Sequence, residues 1–394
     1  MVTPDFRDDA QALVPDLVDL RRSIHREPEV GLDLPRTQAK VLDALGGLDL
    51  EITTGTGLSS VTAVLRGAKP GPTVLLRGDM DALPIEEDVD IDFAATNGNM
   101  HACGHDLHVA GLVGAARLLS AHRADLAGNV IFMFQPGEES PGGAKPMIDE
   151  GLLAAAGDPP VAAYAIHVTT APYGAFLLKP GTIMSSRSEL QVTLRGKGAH
   201  GSRPHLGVDP VAPVAEIVTA LNTMVTKSFD VLDPVVLSVT QLSGSRAANV
   251  IPESAGLGAS IRTLSEDSLV LIQERVREVV EGIAAAHRCT ADIDFTVDYP
   301  VTVNDEEETQ FASSVLEQRF GADRLVPMTD PRMGSEDFSF VLNAVPGTFL
   351  FLGATPEGMD TTGIANHSPR VQFDDRVLSD QSAALAQLAW ERLQ

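Results

Sequence analysis

The sequence Met100-His-Ala-Cys-Gly-His-Asp-Leu-His108 holds three histidines, one cysteine and one aspartate within nine residues. The whole chain of 394 residues has only 10 His and 2 Cys, so this is a strong local concentration. Imidazole and thiolate are good ligands for zinc, and manganese also fits when carboxylates join them. Cys103 and His105 alone would leave coordination positions open, so further ligands must come from elsewhere in the chain.

The segments on either side of this stretch predict where it lies in the fold. Residues 73–77 form an apolar run that leads into Gly78-Asp-Met-Asp81, and residues 108–119 have the composition of a buried helix. An apolar run that ends in acidic residues is typical of a buried parallel strand, and open α/β sheets carry their sites at the carboxyl ends of such strands. The stretch is therefore predicted to connect a strand to a helix at that edge of a sheet.

Two further strands are predicted to bring polar groups to the same edge. The run 129–134 is followed by Glu138 and Glu139, and the run 161–166 ends in His167. Taken alone, a histidine at a strand end is usually a hydrogen-bonded structural residue, and a carboxylate pair in a loop is usually solvated. Three successive strands with the same kind of ending favour one shared site.

The residues collected in this way have the chemistry of a two-metal hydrolytic centre. They are Cys103, His105, Glu138, Glu139, His167 and His367. Two ions about 3.5–4 Å apart can share a water molecule, lower its pKa and polarise a carbonyl group. One glutamate of the adjacent pair could bind a metal while the other transfers protons. His101 and His108 are expected to support the site or to cap a helix.

A cysteine-nucleophile hydrolase is the more distant alternative. In that case Cys103 would attack the substrate, with His105 and Asp106 as base and orienting group. A histidine two residues after the cysteine is poorly placed to take its proton, and the carboxylates at the strand ends would have no role. The metal site is therefore the preferred interpretation.

The composition restricts the class of partner and the compartment. With 54 acidic against 29 basic residues the net charge is -25, whereas a nucleic-acid surface needs a basic stripe. The N-terminal residues lack the regions of a signal peptide, and no apolar run reaches the roughly 18 residues of a membrane span. We therefore expect a cytoplasmic protein without nucleic-acid or membrane partners, in which Cys103 and Cys289 are not joined.

Residues 188–300 follow a different pattern from the rest of the chain. Strand-like segments and two amphipathic helices occur in the order βαββαβ, which is typical of a ferredoxin-like domain. We predict an α/β fold with a mixed, largely parallel sheet flanked by helices and interrupted by this insertion. The catalytic domain would then comprise residues 1–187 and 301–394.

Seven motifs occur in order along nearly the whole chain. They are Arg77-Gly-Asp-Met-Asp-Ala-Leu-Pro84, Met100–His108, Gln135-Pro-Gly-Glu-Glu139, Gly196-Lys-Gly-Ala-His200 with Pro204-His205, Asn249-Val-Ile-Pro252, Met333-Gly-Ser-Glu-Asp-Phe338 and His367-Ser-Pro369. Together they resemble the M20 family of metallopeptidases and aminoacylases, most closely its amidohydrolase branch of hippurate and auxin-conjugate hydrolases. The resemblance implies a zinc-peptidase-like catalytic domain with an inserted lid and dimerisation domain.

The resemblance also implies a role for each matching residue. The ligands of two divalent ions per subunit, Zn²⁺ or Mn²⁺, would be Cys103, His105, Glu139, His167 and His367. Glu138 would be the general base, and Asp81 would orient a group of the metal site. In a homodimer formed through the lid domain, His200 would stabilise the oxyanion in the partner's site. Asn249 and Arg262 would hold the substrate, and Arg262 would bind the free carboxylate of the substrate.

The implied activity is hydrolysis of the amide bond of N-acyl amino acids by a metal-activated water, giving a carboxylic acid and a free amino acid. Glu138 would take the proton of the water and pass it to the departing nitrogen. Within the same fold, the alternatives are a dipeptidase or carboxypeptidase and a biosynthetic N-acetyl amino acid deacetylase of the diaminopimelate type. The sequence does not specify the acyl group, the amino acid or the native metal.

Overall fold

A computed structural model describes residues 4–394 of the chain, and this part forms nine α-helices. The helices are α1 (Phe6–His25), α2 (Pro35–Ala44), α3 (His105–Ala121), α4 (Ala144–Asp149), α5 (Val211–Ser228), α6 (Glu266–Ala286), α7 (Glu306–Phe320), α8 (Ser339–Leu342) and α9 (Val377–Arg392). Three short 3₁₀ helices lie at Leu152–Ala154, Pro204–Leu206 and Ala322–Arg324. No helix among the described residues is both long and apolar enough to cross a membrane.

The same residues form sixteen strands, most of them short. The strands are β1 (Glu51–Thr54), β2 (Val61–Arg66), β3 (Lys69–Asp79), β4 (Ala127–Gln135), β5 (Ala162–Thr169), β6 (Phe176–Leu178), β7 (Gly181–Met184), β8 (Arg187–Arg195), β9 (Ala199–His200), β10 (Val236–Ser243), β11 (Val250–Ile251), β12 (Ser254–Arg262), β13 (Thr290–Tyr299), β14 (Thr302–Asn304), β15 (Leu325–Pro327) and β16 (Gly347–Gly353).

The described chain divides into two compact units. Unit 1 comprises the residues up to Ile183 together with Val303–Asp330 and Asp337–Gln394, and unit 2 comprises Met184–Thr302 and Pro331–Glu336. The second unit thus corresponds to the insertion predicted at 188–300, but it also includes a short later segment that the sequence analysis placed in the catalytic domain. The function of unit 2 as a lid and dimerisation domain stays a prediction.

Unit 1 contains an eight-stranded sheet with the order β1-β2-β4-β3-β5-β16-β6-β15. Its centre is parallel, because β3 pairs in parallel with β4 and β5, and β5 pairs in parallel with β16. The strands β1 and β2 extend one side as antiparallel neighbours. The predicted mixed, largely parallel sheet flanked by helices is confirmed.

The core of unit 1 explains why its central strands carry so few polar residues. All eight residues of β5 are buried, and α3 is buried along most of its length, where it packs against α1, α9 and β3. A strand covered on both faces has no solvent side and therefore shows a continuous apolar run instead of an alternation. This packing fixes the position of β3, β5 and the start of α3.

Unit 2 contains a four-stranded antiparallel sheet with the order β10-β12-β8-β13. Along the chain the elements follow as β8, α5, β10, β12, α6 and β13, which is the predicted βαββαβ order of a ferredoxin-like unit. Alternate residues of β8 are buried in a core shared with α5 and α6. At the start of α6, the N-cap residue Ser265 accepts a hydrogen bond from the Ser268 amide at 3.0 Å.

Candidate metal centre

The strands β4, β3 and β5 bring the predicted polar endings to one edge of the unit 1 sheet. They are neighbours in the sheet and run parallel, so their carboxyl ends lie together. Asp79 ends β3, and β4 ends at Gln135, just before Glu138. His167 differs from its expected position, because it lies inside β5 and not after it. The strand continues past His167 because β16 pairs with it as far as Thr169.

A glycine allows the cysteine-bearing turn to approach β5 closely. Gly104 caps the N-terminus of α3 with a φ of 86°, which side-chain-bearing residues rarely adopt. A Cβ at this position would lie 2.3 Å from Cγ2 of Val168. The backbone at Gly104 can therefore pass close to the end of β5, which places Cys103 and His105 beside His167.

The first group of possible ligands surrounds the sulfur of Cys103. Its Sγ lies 3.4 Å from Nε2 of His167 and 3.3 Å from Nε2 of His367. The same nitrogen of His367 lies 2.9 Å from Oε1 of Glu139. Cys103 and Cys289 are both free and buried. Four of the predicted ligands, from four separate segments of the chain, thus meet at one point.

The second group contains His105 and the two adjacent glutamates. One potential ligand atom from each of His105, Glu138 and Glu139 lies within 4.8 Å of the other two. Nε2 of His105 is 4.0 Å from Oε2 of Glu138, whose residue is only 5% exposed. Because Glu139 belongs to both groups, the structure brings all six residues predicted from the sequence into one cluster.

The chemistry of these residues fits divalent metal ions. Nδ1 of His105 lies 2.8 Å from the carbonyl oxygen of Asp81, which can only accept, so this nitrogen carries the hydrogen. Nε2 of the same ring is completely buried and has no hydrogen-bond partner among the described residues. Once deprotonated, a buried ring nitrogen of this kind beside a thiol and carboxylates is the arrangement that a zinc- or manganese-type ion would satisfy.

The histidine pKa values indicate competition between protons and a metal. Burial alone would lower the pKa of His105, but the charge of Asp79 together with hydrogen bonds to Asp81 and Cys103 raises that pKa well above its usual range. Hydrogen bonds to Cys103 and Glu139 raise the pKa of His367 to about 10. Burial holds the pKa of His167 well below its usual range. A metal would displace protons from His105 and His367, since ligands bind in their deprotonated form.

Asp81 accepts hydrogen bonds from three of the clustered residues. One carboxylate oxygen accepts the backbone N–H of Glu138 at 2.9 Å and the other accepts that of Glu139 at 3.0 Å. Its backbone carbonyl accepts the Nδ1 hydrogen of His105. The group is almost completely buried, which raises its pKa. This geometry supports the orienting role that the resemblance implied for Asp81.

The sequence analysis assigned no role to Asp79, which holds a second buried network. Its carboxylate pairs with Arg77 at 2.6 Å and accepts the Nδ1 hydrogen of His108. Nε2 of His108 accepts the backbone N–H of Val168 at 2.8 Å, so both nitrogens of His108 are engaged. His108 therefore supports the strand beside His167, as expected. The available signal was the position of Asp79 at the end of an apolar strand.

His101 is also buried, and neither of its ring nitrogens has a hydrogen-bond partner among the described residues. Burial lowers the pKa of His101 to about 3, so the ring is neutral near pH 7. The ring centroids of His101 and His25 lie 6.1 Å apart. The side chain of His101 therefore forms no hydrogen bond that would provide the expected supporting or capping role, although its backbone carbonyl accepts the Gly104 amide at 3.1 Å.

The three residues predicted to contact the substrate lie in unit 2. His200 and Asn249 are exposed neighbours, because β9 pairs with β11 and the Gly201 amide donates to the Asn249 carbonyl at 2.7 Å. Arg262 ends β12 and donates to the Ser186 carbonyl at 3.4 Å. Burial lowers the pKa of Arg262, and the nearby Arg187 lowers it further.

Comparison with known proteins decides the family. The sequence profile of peptidase family M20/M25/M40 matches residues 75–391. The chain belongs to this family. The resemblance found in the motifs is thereby confirmed, as is the prediction of a hydrolytic enzyme acting on amide bonds, a metallo-amidohydrolase.

Relatives of this M20 protein match nearly its whole length. Thermostable carboxypeptidase 1 of Saccharolobus solfataricus is 35% identical over 98% of this chain and 97% of its own length. IAA-amino acid hydrolase ILR1-like 2 of Arabidopsis thaliana is 35% identical over 96% of this chain and 85% of its own length. One of these relatives is thus named as a peptidase and the other as a hydrolase of an amino acid conjugate.

A crystal structure within the M20 family has the same fold. The YXEP protein of Bacillus subtilis, described as a dinuclear metal-binding peptidase, is 30% identical and covers 97% of this chain with 99% of its own. Its TM-score is 0.83. Together with the ligand groups above, this similarity supports metal binding by the M20 chain, while the identity of the metal stays a prediction.

Proposed function

We propose that this M20 enzyme cleaves the amide bond of N-acyl amino acids and releases a carboxylic acid and a free amino acid. The observation that carries the proposal is the position of Glu138, a buried carboxylate 4.0 Å from His105 within a cluster of soft and acidic ligands. A proton-transfer group beside a metal site is what amide hydrolysis requires, because water must lose a proton and the amine must gain one.

The metal site of the proposal consists of residues that the structure groups together. Two divalent ions would be held by Cys103, His105, Glu139, His167 and His367. When bound, they would polarise the amide carbonyl and lower the pKa of a water molecule. We propose Zn²⁺ or Mn²⁺, because a mixed set of sulfur, nitrogen and oxygen ligands suits both.

Glu138 would serve as the general base and then as the general acid. It would take a proton from the attacking water and give it to the nitrogen of the departing amino acid. Its backbone N–H is tied to Asp81, which holds the carboxylate-bearing turn in place. Glu139, by contrast, contacts His367 at 2.9 Å, which supports a role as ligand. The two adjacent glutamates thus have different surroundings.

Recognition of the substrate is proposed for unit 2. His200 would stabilise the oxyanion in the site of the partner subunit, and Asn249 would contact the substrate beside it. Arg262 would bind the free carboxylate of the substrate by a forked contact, which a guanidinium favours. This proposal includes a homodimer formed through the lid domain. Its support is the motif resemblance together with the proximity of His200 and Asn249 in unit 2.

A carboxypeptidase is the second candidate function. It is favoured by the 35% identity to thermostable carboxypeptidase 1 of Saccharolobus solfataricus. The same residues would perform the same hydrolysis. The two functions would differ only in whether the nitrogen of the released amino acid carries a simple acyl group or a peptide chain. Relative kcat/KM values for N-acyl amino acids and for peptides with the same C-terminal residue separate them.

The proton-transfer role is tested by exchanging each glutamate of the pair. Glu138→Gln should lower kcat by roughly 10²–10⁴-fold, the usual contribution of a general acid–base group, and leave the metal content unchanged. Glu139→Gln is the matched variant, and it should lose metal. Activity is measured on N-acyl amino acids, and metal content is determined on the same samples.

Two outcomes would contradict the proposal. Near-normal turnover by Glu138→Gln would show that this carboxylate does not transfer the proton. Full activity after complete removal of metal by a chelator would instead favour Cys103 as nucleophile. A screen that varies the acyl part and the amino acid part independently then identifies the substrate, and hydrolysis of none of these compounds would exclude the proposed substrate class.

A further inference from the structure

The side-chain amide of Asn366 contacts two segments of the chain that each carry a proposed metal ligand, and Asn366 itself belongs to the segment of a third. Its Nδ2 lies 3.1 Å from the carbonyl oxygen of Val168 and 3.3 Å from that of Cys103. Val168 directly follows His167, and Asn366 directly precedes His367. One amide group thus connects the segments of Cys103, His167 and His367.

The segment of His367 needs such a connection. His367 has a φ of 71°, in the left-handed region that residues other than glycine rarely adopt. Its side chain is 51% exposed, so packing does little to hold it. The backbone N–H of His367 donates to the Ala102 carbonyl at 2.9 Å. The side-chain amide of Asn366 contacts the next residue of that turn, because it donates to the Cys103 carbonyl.

The third contact of Asn366 is with the ligand atom itself. Nδ2 lies 3.7 Å from Sγ of Cys103, which is within hydrogen-bond distance for sulfur. Cys103 is only 8% exposed, so solvent can provide little hydrogen bonding to its sulfur. Cysteine binds metal as a thiolate, and hydrogen bonds to a charged acceptor are stronger than those to a neutral one.

We propose that Asn366 is a positioning residue of the metal site, holding Cys103, His167 and His367 in register and donating a hydrogen bond to the Cys103 sulfur. This inference rests on the proposed metal site. The amide has two hydrogens for three acceptors, so it shares them among the backbone carbonyls and the sulfur. A residue of this kind acts through the ligands, and its loss should change metal affinity before it changes the fold.

The test replaces the amide by a side chain of similar size without donors. Asn366→Leu in the metal-free protein should raise the Kd for Co²⁺, measured by competition with a chelator, by about 10–100-fold, the usual effect of removing a partner of a ligand. Asn99→Leu is the matched control, because Asn99 is also half-buried and donates to a backbone carbonyl, that of Pro28. It should keep the wild-type Kd.

A spectroscopic readout separates the sulfur contact from simple support of the loop. In the Co²⁺-loaded protein, the thiolate-to-cobalt charge-transfer band should shift in Asn366→Leu and stay unchanged in Asn99→Leu. Asn366→Gln, which keeps an amide donor, should recover part of the affinity and move the band back towards that of the wild type. If Asn366→Leu does not fold, Asn366→Ala takes its place.

The outcomes distinguish this inference from the proposal on which it rests. If the wild-type protein binds no Co²⁺ at the cluster, the metal site itself is wrong. If the wild type binds Co²⁺ and Asn366→Leu has the same Kd and the same band, the positioning role of Asn366 alone is overturned. Equal weakening in Asn99→Leu and Asn366→Leu would likewise overturn it.

Discussion

Asp106, the residue after His105, shows how a charge is kept in the interior behind the candidate site. It is completely buried, and its carboxylate lies 2.6 Å from Nε of Arg21 and 2.8 Å from Nδ1 of His25. Burial alone would raise the pKa of Asp106, but the charge of Arg21 together with the charge and hydrogen bond of His25 lowers it. A buried charge without such partners would be strongly destabilising. The start of α3 is therefore tied to α1.

The stability of this network should depend on pH through His25. Burial alone would lower the pKa of His25, but the charge of Asp106 and hydrogen bonds to Asp106 and Glu87 raise it. Because the pKa is raised in the folded state, the protonated ring contributes to the free energy of unfolding. This contribution is complete at pH values below the unfolded-state pKa of about 6.5. This contribution is lost as the pH rises through the folded-state pKa.

We therefore expect the difference in unfolding free energy between the wild type and His25→Gln to be larger at pH 6 than at pH 9. The measurement is urea unfolding of the metal-free proteins at both pH values. His287→Gln is the control, because His287 forms an exposed pair with Glu216 and is 37% exposed. A difference for His25→Gln that is constant or grows with pH would contradict the prediction.

At the scale of the elements, the close packing of α3 on α9 depends on small residues. A Cβ at Gly114 would lie 2.1 Å from Oγ of Ser382 and 2.9 Å from Cδ1 of Leu17. Gly111 faces Gln381 in the same way. Glycine in a helix is unfavourable in isolation. Its presence in α3 is explained by the short distance that it allows between two buried helices.

Gly114→Ala should destabilise the protein by about 1–3 kcal/mol, because the added methyl group has no space between Ser382 and Leu17. Gly282→Ala is the matched control in α6, where a Cβ would meet nothing within 4 Å. That substitution should be neutral or stabilise the protein by up to about 1 kcal/mol, since alanine favours a helix. Urea unfolding of both variants provides the comparison, and equal effects would contradict the packing argument.

The sequence predicted the long, buried elements well and missed the short ones. The central strands β3, β4 and β5, the helix α3 and the helices α5 and α6 of unit 2 correspond to predicted segments. Among the strands that it missed, β1, β6, β7, β9, β11, β14 and β15 have two to four residues each, too few to show a periodicity. Pairing with neighbours distant in the chain creates such strands, as when β15 joins β6.

At the scale of the whole molecule, the proposed active site would include residues of a second subunit. The proposed ligands and Glu138 belong to unit 1, whereas His200, Asn249 and Arg262 belong to unit 2. If His200 acts in the site of the partner subunit, as the proposal states, a subunit that lacks His200 can still form an active site when its partner provides this histidine. This property can be tested without knowledge of the substrate's natural source.

Subunits carrying His200→Ala and subunits carrying Glu138→Ala should each be inactive alone and regain activity when mixed. Each heterodimer would contain one site with Glu138 from one subunit and His200 from the other. Random pairing predicts recovery of roughly a quarter of the wild-type activity. The measurement is hydrolysis of an N-acyl amino acid after dissociation and reassociation of the mixture. No recovery, with dimers present, would contradict a role of His200 in the partner's site.

The sequence by itself determined the family, the sheet class and the group of candidate ligands. These follow from local patterns, namely apolar runs that end in acidic residues and motifs such as Cys103-Gly-His105. The sequence could not show that His367, far along the chain, lies 3.3 Å from Cys103, nor that Asp81 holds both glutamates. Those contacts join residues distant in the chain, and only the packed sheet and helices bring them together.

The roles of Asn366 and Asp79 were decided by the tertiary structure alone. Asn366 is an ordinary loop residue in the sequence, and its side chain gains three acceptors only where β5, the turn before α3 and the His367 segment meet. Asp79 becomes a structural anion because Arg77 and His108 are packed against it. Burial removes water as an alternative partner, so the folded surroundings determine what each of these side chains binds.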